Sequence, residues 1–281
     1  MMISIDVDMD VYKALSAKRP AEATPFNDVL RSILDLKAGA VAEQSFGDAA
    51  QVKAAADAAA AAGERTLPRQ VPKTETKGTV AVVGATGSIG GKVVDEALSR
   101  GLNVIAVARD PAKIAPRAGV TVRAGDVNDP KSLAEAIKGA DAVVVSVKWA
   151  QANVDSLIEG VRASQVKKGL FVVGCGTLMR SDGRLHFNHA AEANGVPPPP
   201  IVPAVRAMNA LTAVSDFEWT LVSCPMDIAS GERVGDFRLG GSHMIFEDNG
   251  RSRISEQDFA VAMIDEVQEP HFANKQINVS Y

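Results

Sequence analysis

A glycine-rich segment follows the apolar run Thr79–Val83 and has the spacing of a phosphate-binding loop. Its residues, from Gly84 to Gly90, read Gly-Ala-Thr-Gly-Ser-Ile-Gly, and a helix is predicted directly after it over Gly90–Arg100. Strand, glycine loop and helix in this order form the context in which such a loop binds the pyrophosphate of a dinucleotide. The pattern therefore indicates chemistry with a nicotinamide dinucleotide, and a glycine turn that only packs a helix on a sheet is the alternative.

The residues of the loop have different physical roles in the predicted site. Gly84 permits a tight turn, Gly87 lets the backbone approach a pyrophosphate, and Gly90 lets the helix pack close to the strand. The helix N-terminus adds free N–H groups and the positive end of its dipole, and Thr86 and Ser88 add hydroxyl donors. From this loop we expect cofactor contacts from Gly84, Thr86, Gly87, Ser88, Ile89 and Gly90.

The end of the second predicted strand bears on the choice between NAD and NADP. A carboxylate there accepts from the ribose 2′-OH of NAD, whereas an arginine pairs with the 2′-phosphate of NADP. Arg109 comes first at this strand end, and Lys113 is placed to assist it. Asp110 follows Arg109 and either faces the ribose or caps the turn before Pro111. We expect NADP as the cofactor, with NAD as the alternative, and a solvated surface position is the competing interpretation of Arg109.

Two further strand ends carry expected cofactor contacts. Asp126 and Val127 follow the third predicted strand. Asp126 would accept from the adenine amino group and Val127 would pack on the ring, whereas a cap for the helix that starts near Pro130 is the alternative for Asp126. Ser146 ends the fourth predicted strand, which by sheet topology lies near the nicotinamide ribose.

The chain lacks the Tyr-x-x-x-Lys pair of ordinary short-chain dehydrogenases. Its two tyrosines are Tyr12 and Tyr281, and neither is followed by a lysine four residues later. The sequence therefore does not predict ordinary ketoreductase chemistry. Hydride transfer to a flavin or quinone demands less of the protein, because the cofactor carries the reaction and the pocket orients a planar acceptor.

Thr177 and His186 are the candidate catalytic residues. Thr177 follows the fifth predicted strand, where its hydroxyl would lie near the nicotinamide, and His186 would donate a proton from the loop expected after it. His189 lies in the same predicted loop, and histidines on a polar loop surface are the alternative. The spacing of the two histidines suits a metal pair, but no third ligand is nearby in sequence, so no metal site is predicted.

The elements that must position these residues alternate between strand and helix. Apolar strands separated by helices indicate an α/β fold, a doubly wound parallel sheet of Rossmann type covered on both faces. The strands are predicted at Thr79–Val83, Asn103–Ala108, Val120–Arg123, Ala142–Val147, Leu170–Gly174, Trp219–Ser223 and Gln276–Ser280. The helices are predicted at Gly90–Arg100, Lys131–Lys138, Val154–Lys167, Val205–Val214 and Glu256–Val267.

Three domains are expected: a small module over 1–37, an Ala/Pro-rich linker over 38–77 and an NAD(P)-binding Rossmann domain over 78–281. In the module, Ile3, Ile5 and Val7 alternate with polar residues, which indicates a strand, and two helices are expected after it. One strand followed by two helices is the order of the ribbon-helix-helix fold. A module this short buries too little apolar surface alone, so we expect it to form a homodimer.

The totals of the chain limit its class. Its 281 residues carry a net charge of −4, so no global basic field argues for nucleic acid, and an apolar fraction of 46% supplies a core. Cys175 and Cys224 show no metal-ligand spacing and are expected as reduced thiols. The N-terminus does not resemble a signal peptide and no apolar run spans about 18 residues, so we expect a cytoplasmic protein without a membrane partner.

Motifs along the large domain resemble one family. Gly84–Gly90, Val107–Pro111 and Gly125–Val127 are similar to the NmrA-like, NAD(P)H-binding group of atypical short-chain dehydrogenases. The later segments resemble the group's NADH-flavin reductases more specifically, and these are Phe217–Pro225, Gly231–Gly235, Phe237–Gly241, Arg253–Ser255 and Asp258–Ala262. The resemblance covers about residues 79–281. It implies a Rossmann fold, NAD(P)H at the glycine loop, and a substrate pocket over the nicotinamide built from the segments after the fifth and sixth strands.

The N-terminal module has a resemblance of its own. Met2–Asp8 and Asn27–Arg31 are similar to the oligomerisation module of the replication regulator SeqA. In DNA-reading ribbon-helix-helix proteins the outward strand side chains enter the major groove. Here those side chains are Ser4, Asp6 and Asp8, and phosphate repels the two carboxylates, so DNA is the disfavoured partner. Packing of the module on its own Rossmann domain is a further alternative.

Three functions are consistent with these patterns. The first is a reductase that uses NADPH to reduce a flavin, a quinone or a similar planar acceptor. The second is a catalytically weak sensor of NADP(H), coupled to the N-terminal module, and the third is an assembly protein gathered by that module. The retained family motifs near the C-terminus favour the enzyme, whereas the missing Tyr-x-x-x-Lys pair favours the sensor.

Overall fold

The computed structural model describes residues 67–68, 78–194 and 201–281. The ribbon-helix-helix module expected over 1–37 lies outside the described residues, so the module and its homodimer stay predictions. Of the linker expected over 38–77, the described part is Leu67–Pro68, which forms a short strand.

Strands and helices alternate from Thr79 onward. The strands are β1 Leu67–Pro68, β2 Thr79–Val83, β3 Asn103–Ala108, β4 Val120–Ala124, β5 Ala142–Val145, β6 Lys168–Val173, β7 Glu218–Ser223, β8 Asp227–Ala229, β9 Arg238–Gly240, β10 Arg253–Ser255 and β11 Lys275–Ser280. The helices are α1 Ser88–Ser99, α2 Pro130–Ile137, α3 Val154–Ser164, α4 His186–Asn194, α5 Ile201–Thr212 and α6 Glu256–Gln268. The strands and helices predicted from Thr79 onward are thus all present, with shifts of a few residues at their ends.

One nine-stranded sheet organises the domain, in the order β1-β9-β11-β7-β6-β5-β2-β3-β4. The seven strands from β11 to β4 are parallel, whereas β9 pairs antiparallel with β11 and β1 pairs antiparallel with β9. The chain leaves the sheet's centre at β2, runs outward through β3 and β4, and returns to β5 on the other side. Ligands of doubly wound sheets bind at this reversal, outside the carboxyl ends of the strands.

Both faces of the sheet are covered, which confirms the predicted Rossmann-like α/β fold. One apolar cluster joins the sheet to α2, α3 and α5 through residues such as Leu133 and Leu157. The other joins it to α1 and α6 through residues such as Val93 and Phe259. Continuous apolar strands are required because parallel strands bury both of their faces.

Two local features differ from the expectation. The loop expected to carry His186 and His189 is the helix α4. Its sequence is mostly polar and alanine, so it shows no clear apolar stripe from which a helix could be predicted. The short parallel pair β8–β10 was not predicted either, since three-residue strands give too few residues for a period to show. None of the described helices is both long and apolar enough to cross a membrane.

Candidate functional site

The glycine loop lies at the carboxyl end of β2 and is fixed by the next strand. The backbone N–H groups of Gly84 and Ala85 donate to the Val107 carbonyl of β3 at 3.1 and 3.3 Å. Gly84 has φ +84°, and a Cβ there would lie 2.1 Å from the Ser146 carbonyl oxygen. A Cβ at Gly90 would lie 2.2 Å from the Gly84 carbonyl oxygen. Both positions therefore require glycine, for the turn and for the approach of α1 to it.

Helix α1 begins beside this turn without a capping side chain. Gly87 is its N-cap, and its first turn contains no acidic residue. The first backbone bond of the helix runs from the Gly91 N–H to the Gly87 carbonyl at 2.8 Å. The N–H groups before it, at Ser88, Ile89 and Gly90, precede the helical hydrogen bonds and are available to an anion.

A cleft of about 260 Å³ opens in front of the loop. Seven of the expected cofactor residues line it together: Gly84, Thr86, Gly87, Arg109, Asp126, Val127 and Ser146. The other lining residues are Val83, Val107, Ala108, Gly125, Asn128, Val147, Lys148, Gln151 and Ala152. Of the remaining expected residues, Ser88 is exposed at the helix start, Ile89 packs against the core and Gly90 is buried, so the last two would offer a ligand only their backbone N–H groups.

The end of β3 places a cation in the cleft. Arg109 is exposed there and forms no ion pair with a carboxylate of the described residues. The carboxylate of Asp110 accepts from the Ala112 N–H at 3.2 Å and lies 3.7 Å from Lys113 Nζ. Of the two alternatives for Asp110, the structure thus shows the cap of the turn. Arg109 is left as the charged group that can face a 2′-phosphate.

Asp126 does not cap α2, which was the alternative role that the sequence allowed for it. Asp129 caps α2, and its carboxylate accepts from the N–H groups of Lys131 and Ser132 at 3.0 and 3.1 Å. One oxygen of Asp126 accepts from the Asn128 N–H at 2.9 Å, which fixes the side chain at the cleft. Its other oxygen can accept from a ligand.

Two polar residues of the cleft were missed in the sequence. Asn128 joins its two rims, because its amide donates to the Gln151 carbonyl at 3.0 Å and accepts from the Asn153 N–H at 2.7 Å. Lys148 is exposed in the cleft and forms no ion pair with the described carboxylates. Its place two residues after Ser146, at a strand end next to the sheet's reversal, was the signal that could have identified it.

Thr177 is completely buried rather than exposed to the cleft. Its hydroxyl donates to the Gly174 carbonyl at 2.9 Å and lies 3.2 Å from Ser223 Oγ. The side-chain amide of Gln276 donates to the Thr177 hydroxyl at 2.9 Å and to its carbonyl at 3.0 Å. This hydroxyl therefore fixes the turn after β6, and a ligand does not reach it in this conformation.

His186 stands at the first position of α4 and is not among the residues that line the cleft. Its Nδ1 is buried without a hydrogen-bond partner among the described residues. Burial and the nearby charges of Arg180 and His189 lower the pKa of His186, so its imidazole is neutral at neutral pH. His189 instead lies 3.0 Å from Asp182, and no group of three potential metal ligands occurs in the described part of the chain.

The charged loop before β9 does not line the cleft. Glu232 lines a separate cavity with Arg253 and Tyr281. Arg233 pairs with Glu96 of α1 at 2.7 Å, which ties this loop to the helix that follows the glycine loop.

Comparison with known proteins also connects this part of the chain with NAD(P)H binding. A family model described as NAD(P)H-binding matches residues 84–270. An uncharacterised protein of Bacillus subtilis strain 168, YwnB, is 26% identical over 209 residues, which are 71% of this chain and 97% of that protein. A Bacteroides thetaiotaomicron protein provisionally assigned as an epimerase has a structure of TM-score 0.65 at 31% identity, over 73% of this chain and 98% of that one. A Streptococcus pneumoniae protein provisionally assigned as an NADH-flavin reductase has TM-score 0.60 over 72% of this chain and 99% of that one, and at 22% identity this likeness concerns the fold alone.

Proposed function

Because the chain belongs to the NAD(P)H-binding family, we propose that it is an NADPH-dependent reductase of a flavin, a quinone or a similar planar acceptor. One observation carries the proposal. A single cleft brings together the glycine loop, the uncapped start of α1 and three side chains suited to an adenosine 2′-phosphate and adenine: Arg109, Asp126 and Val127.

The residues present fit a dinucleotide. The open N–H groups of α1 and the exposed backbone at Gly87 suit a pyrophosphate, and Lys148 adds a cation that no described carboxylate neutralises. Arg109 suits the 2′-phosphate, and Ser146 lies on the side of the cleft nearest β5. When bound, the reduced nicotinamide supplies a hydride, and the acceptor takes up that hydride together with a proton.

The acceptor class rests on what the chain offers for proton transfer. Without a Tyr-x-x-x-Lys pair, little in the described part of the chain would activate a carbonyl, whereas a planar acceptor needs mainly orientation. His186, the expected proton donor, does not line the cleft, so in this proposal the reduced acceptor takes its proton from solvent. Thr177 acts indirectly, by holding the Gly174 carbonyl in the turn after β6.

Steady-state oxidation of NADPH tests the proposal. We expect absorbance at 340 nm to fall on addition of FMN, riboflavin or a benzoquinone, each tried separately with the full chain. Binding of NADPH without turnover of any of them would contradict the reductase and favour the alternative, a regulator that senses NADP(H) through the same cleft.

Arg109→Ala should remove the preference for NADPH over NADH. A charge-assisted pair with the 2′-phosphate contributes on the order of 1.5 kcal/mol at an exposed position, so we expect about a tenfold loss of NADPH affinity. NADH lacks the 2′-phosphate, and its affinity should change little. Calorimetry of both cofactors measures the two effects together.

Arg109→Lys is the matched control for that prediction. It keeps the charge and loses the two-pronged geometry, so we expect a preference between those of the wild type and Arg109→Ala. Equal affinity of the wild type for NADPH and NADH would contradict the role given to Arg109.

A further inference from the structure

Asn128 connects two loops that no strand pairing holds together. The loop after β4 and the loop after β5 both border the cleft, but β3 and β2 lie between their strands in the sheet. Three strand spacings, about 14 Å, therefore separate the two strands. The side-chain amide of Asn128 donates to the Gln151 carbonyl at 3.0 Å and accepts from the Asn153 N–H at 2.7 Å. In the described part of the chain, these two hydrogen bonds are the ones that join the loops.

The fold behind the loops does not depend on this amide. The loops lead into α2 and α3, which pack closely, since a Cβ at Gly160 of α3 would lie 2.9 Å from Leu133 Cδ2 of α2. Each helix also has a cap of its own, Asp129 for α2 and Asn153 for α3. Asn128 itself is exposed, so water would satisfy the groups it binds if it were removed. Its two bonds across the cleft's rims are therefore not explained by packing or by capping.

Hydrogen bonds continue from Asn128 to a charged residue on each rim. On one side its backbone N–H donates to the Asp126 carboxylate at 2.9 Å. On the other side the Gln151 N–H donates to the Lys148 carbonyl at 2.8 Å. The loop after β5 is anchored to the sheet, because Trp149 Nε1 donates to a carbonyl of β6 at 2.8 Å. Asn128 thus ties the loop that carries Asp126 to a fixed neighbour.

On this geometry, and resting on the proposed function, we propose that Asn128 is a positioning residue for the adenine end of the dinucleotide. It holds the loop after β4 so that the free oxygen of Asp126 meets the amino group of adenine. Hydrogen bonds weaken steeply with distance and angle, so a small displacement of this loop costs that contact. An asparagine suits the task because its planar amide supplies one acceptor and a donor together, as a peptide group does between two strands.

The test is the preference of the full chain for NADPH over its hypoxanthine analogue. The analogue has a carbonyl in place of the adenine amino group and cannot donate to Asp126, so the ratio of the two affinities reports on that contact. A charge-assisted hydrogen bond should give the wild type about a tenfold preference for NADPH. In Asn128→Ala we expect NADPH to bind several times more weakly and the analogue to bind nearly as before, so that the ratio approaches one.

Asp129→Ala is the matched control at the next position. It removes the cap of α2 but does not line the cleft, so it should lower the melting temperature and keep the wild-type ratio. Asn128→Ala should lower the melting temperature less than this control does. A double-mutant cycle then tests the route: in an Asp126→Ala background, Asn128→Ala should leave the ratio unchanged, because both substitutions act on one contact.

Four results would contradict the inference or its premise, and they differ from one another. A wild-type ratio in Asn128→Ala would overturn it, even if both affinities fell together or the variant melted earlier than the control. A further change of the ratio in the Asp126→Ala background would show that Asn128 does not act through Asp126. Equal affinity of the wild type for NADPH and the analogue would overturn the inference and leave the proposed reductase standing. A wild type that binds neither would instead overturn the proposed function itself.

Discussion

Gly87→Val should abolish dinucleotide binding while the domain stays folded. Gly87 is the exposed N-cap of α1 with φ −79° and ψ 166°, values that a branched residue adopts readily. Its Cβ would lie 3.2 Å from the Gly84 carbonyl oxygen, so the loop must yield by only a few tenths of an ångström. The rest of the valine would fill the space in front of the open N–H groups of α1, where the pyrophosphate is expected. We expect affinity for NADPH to fall by about a hundredfold or more, because the pyrophosphate could no longer reach these N–H groups.

Gly91→Ala provides the matched control four residues later. A Cβ there meets only the Ala85 carbonyl oxygen at an ordinary 3.7 Å, and Gly91 does not line the cleft. Alanine favours a helix over glycine by up to about 1 kcal/mol, so this variant should be slightly more stable and bind NADPH normally. Circular dichroism melting and NADPH fluorescence titration check both variants. A folded Gly87→Val protein with wild-type affinity would mean that the phosphates bind elsewhere.

The fold could be predicted because its central elements repeat a strong local pattern. Strands such as Asn103–Ala108 are apolar from their second residue onward, since both faces of a parallel strand are buried, and the structure has this strand at the predicted bounds. Helix α4 and the pair β8–β10 could not be predicted in the same way. Their sequences have no marked period, and their positions depend on contacts with segments far away in the chain.

The cofactor side of the site was predictable for a similar reason. Gly84, Arg109, Asp126 and Ser146 each follow a strand, and parallel strands bring their carboxyl ends to one edge of the sheet. The positions of these residues at one cleft therefore follow from topology, although the ligand each binds stays a proposal.

The reacting side was less predictable, because burial cannot be read from residue type. Thr177 has the hydroxyl expected of a catalytic residue, yet its side chain is enclosed by Ser223 and Gln276 from strands that are distant in sequence. Lys148 was not identified from the sequence, because lysines near exposed strand ends are common and only its position in the cleft distinguishes it from them.

One buried carboxylate connects the cofactor helix to the rest of the domain. Glu96 of α1 is 5% exposed and accepts hydrogen bonds from Arg100 Nε at 2.7 Å and from Arg233 Nε at 2.7 Å. Arg100 also pairs with Asp265 of α6 at 2.6 Å. This network fixes α1 against α6 and holds the loop before β9, so its loss affects the elements behind the glycine loop together.

Glu96→Gln should lower the free energy of unfolding by about 2–3 kcal/mol. Removing one partner of a buried ion pair costs about 3–5 kcal/mol, because the remaining charge is left uncompensated. We expect a smaller loss here because Arg233, one of the two arginines that pair with Glu96, is half-exposed. Asp95→Asn is the control at the neighbouring position. Asp95 pairs with Arg117 at 2.6 Å on an exposed surface, where such a pair contributes about 1 kcal/mol or less. Urea unfolding of both variants at pH 7 gives the comparison, and equal losses would contradict the role given to Glu96.

The stability of the wild type and of Glu96→Gln should also depend differently on pH. Burial acts to raise the pKa of Glu96, but the hydrogen bonds and charges of Arg233 and Arg100 outweigh it and hold the pKa below its ordinary value. A carboxylate with a lowered folded pKa stabilises the fold fully above its unfolded pKa, and this contribution is lost as the pH falls through the folded pKa. The wild type should therefore lose stability between about pH 5 and pH 3 more steeply than Glu96→Gln, and the two curves should converge in acid. Parallel curves across this range would contradict a pKa of Glu96 that is lowered on folding.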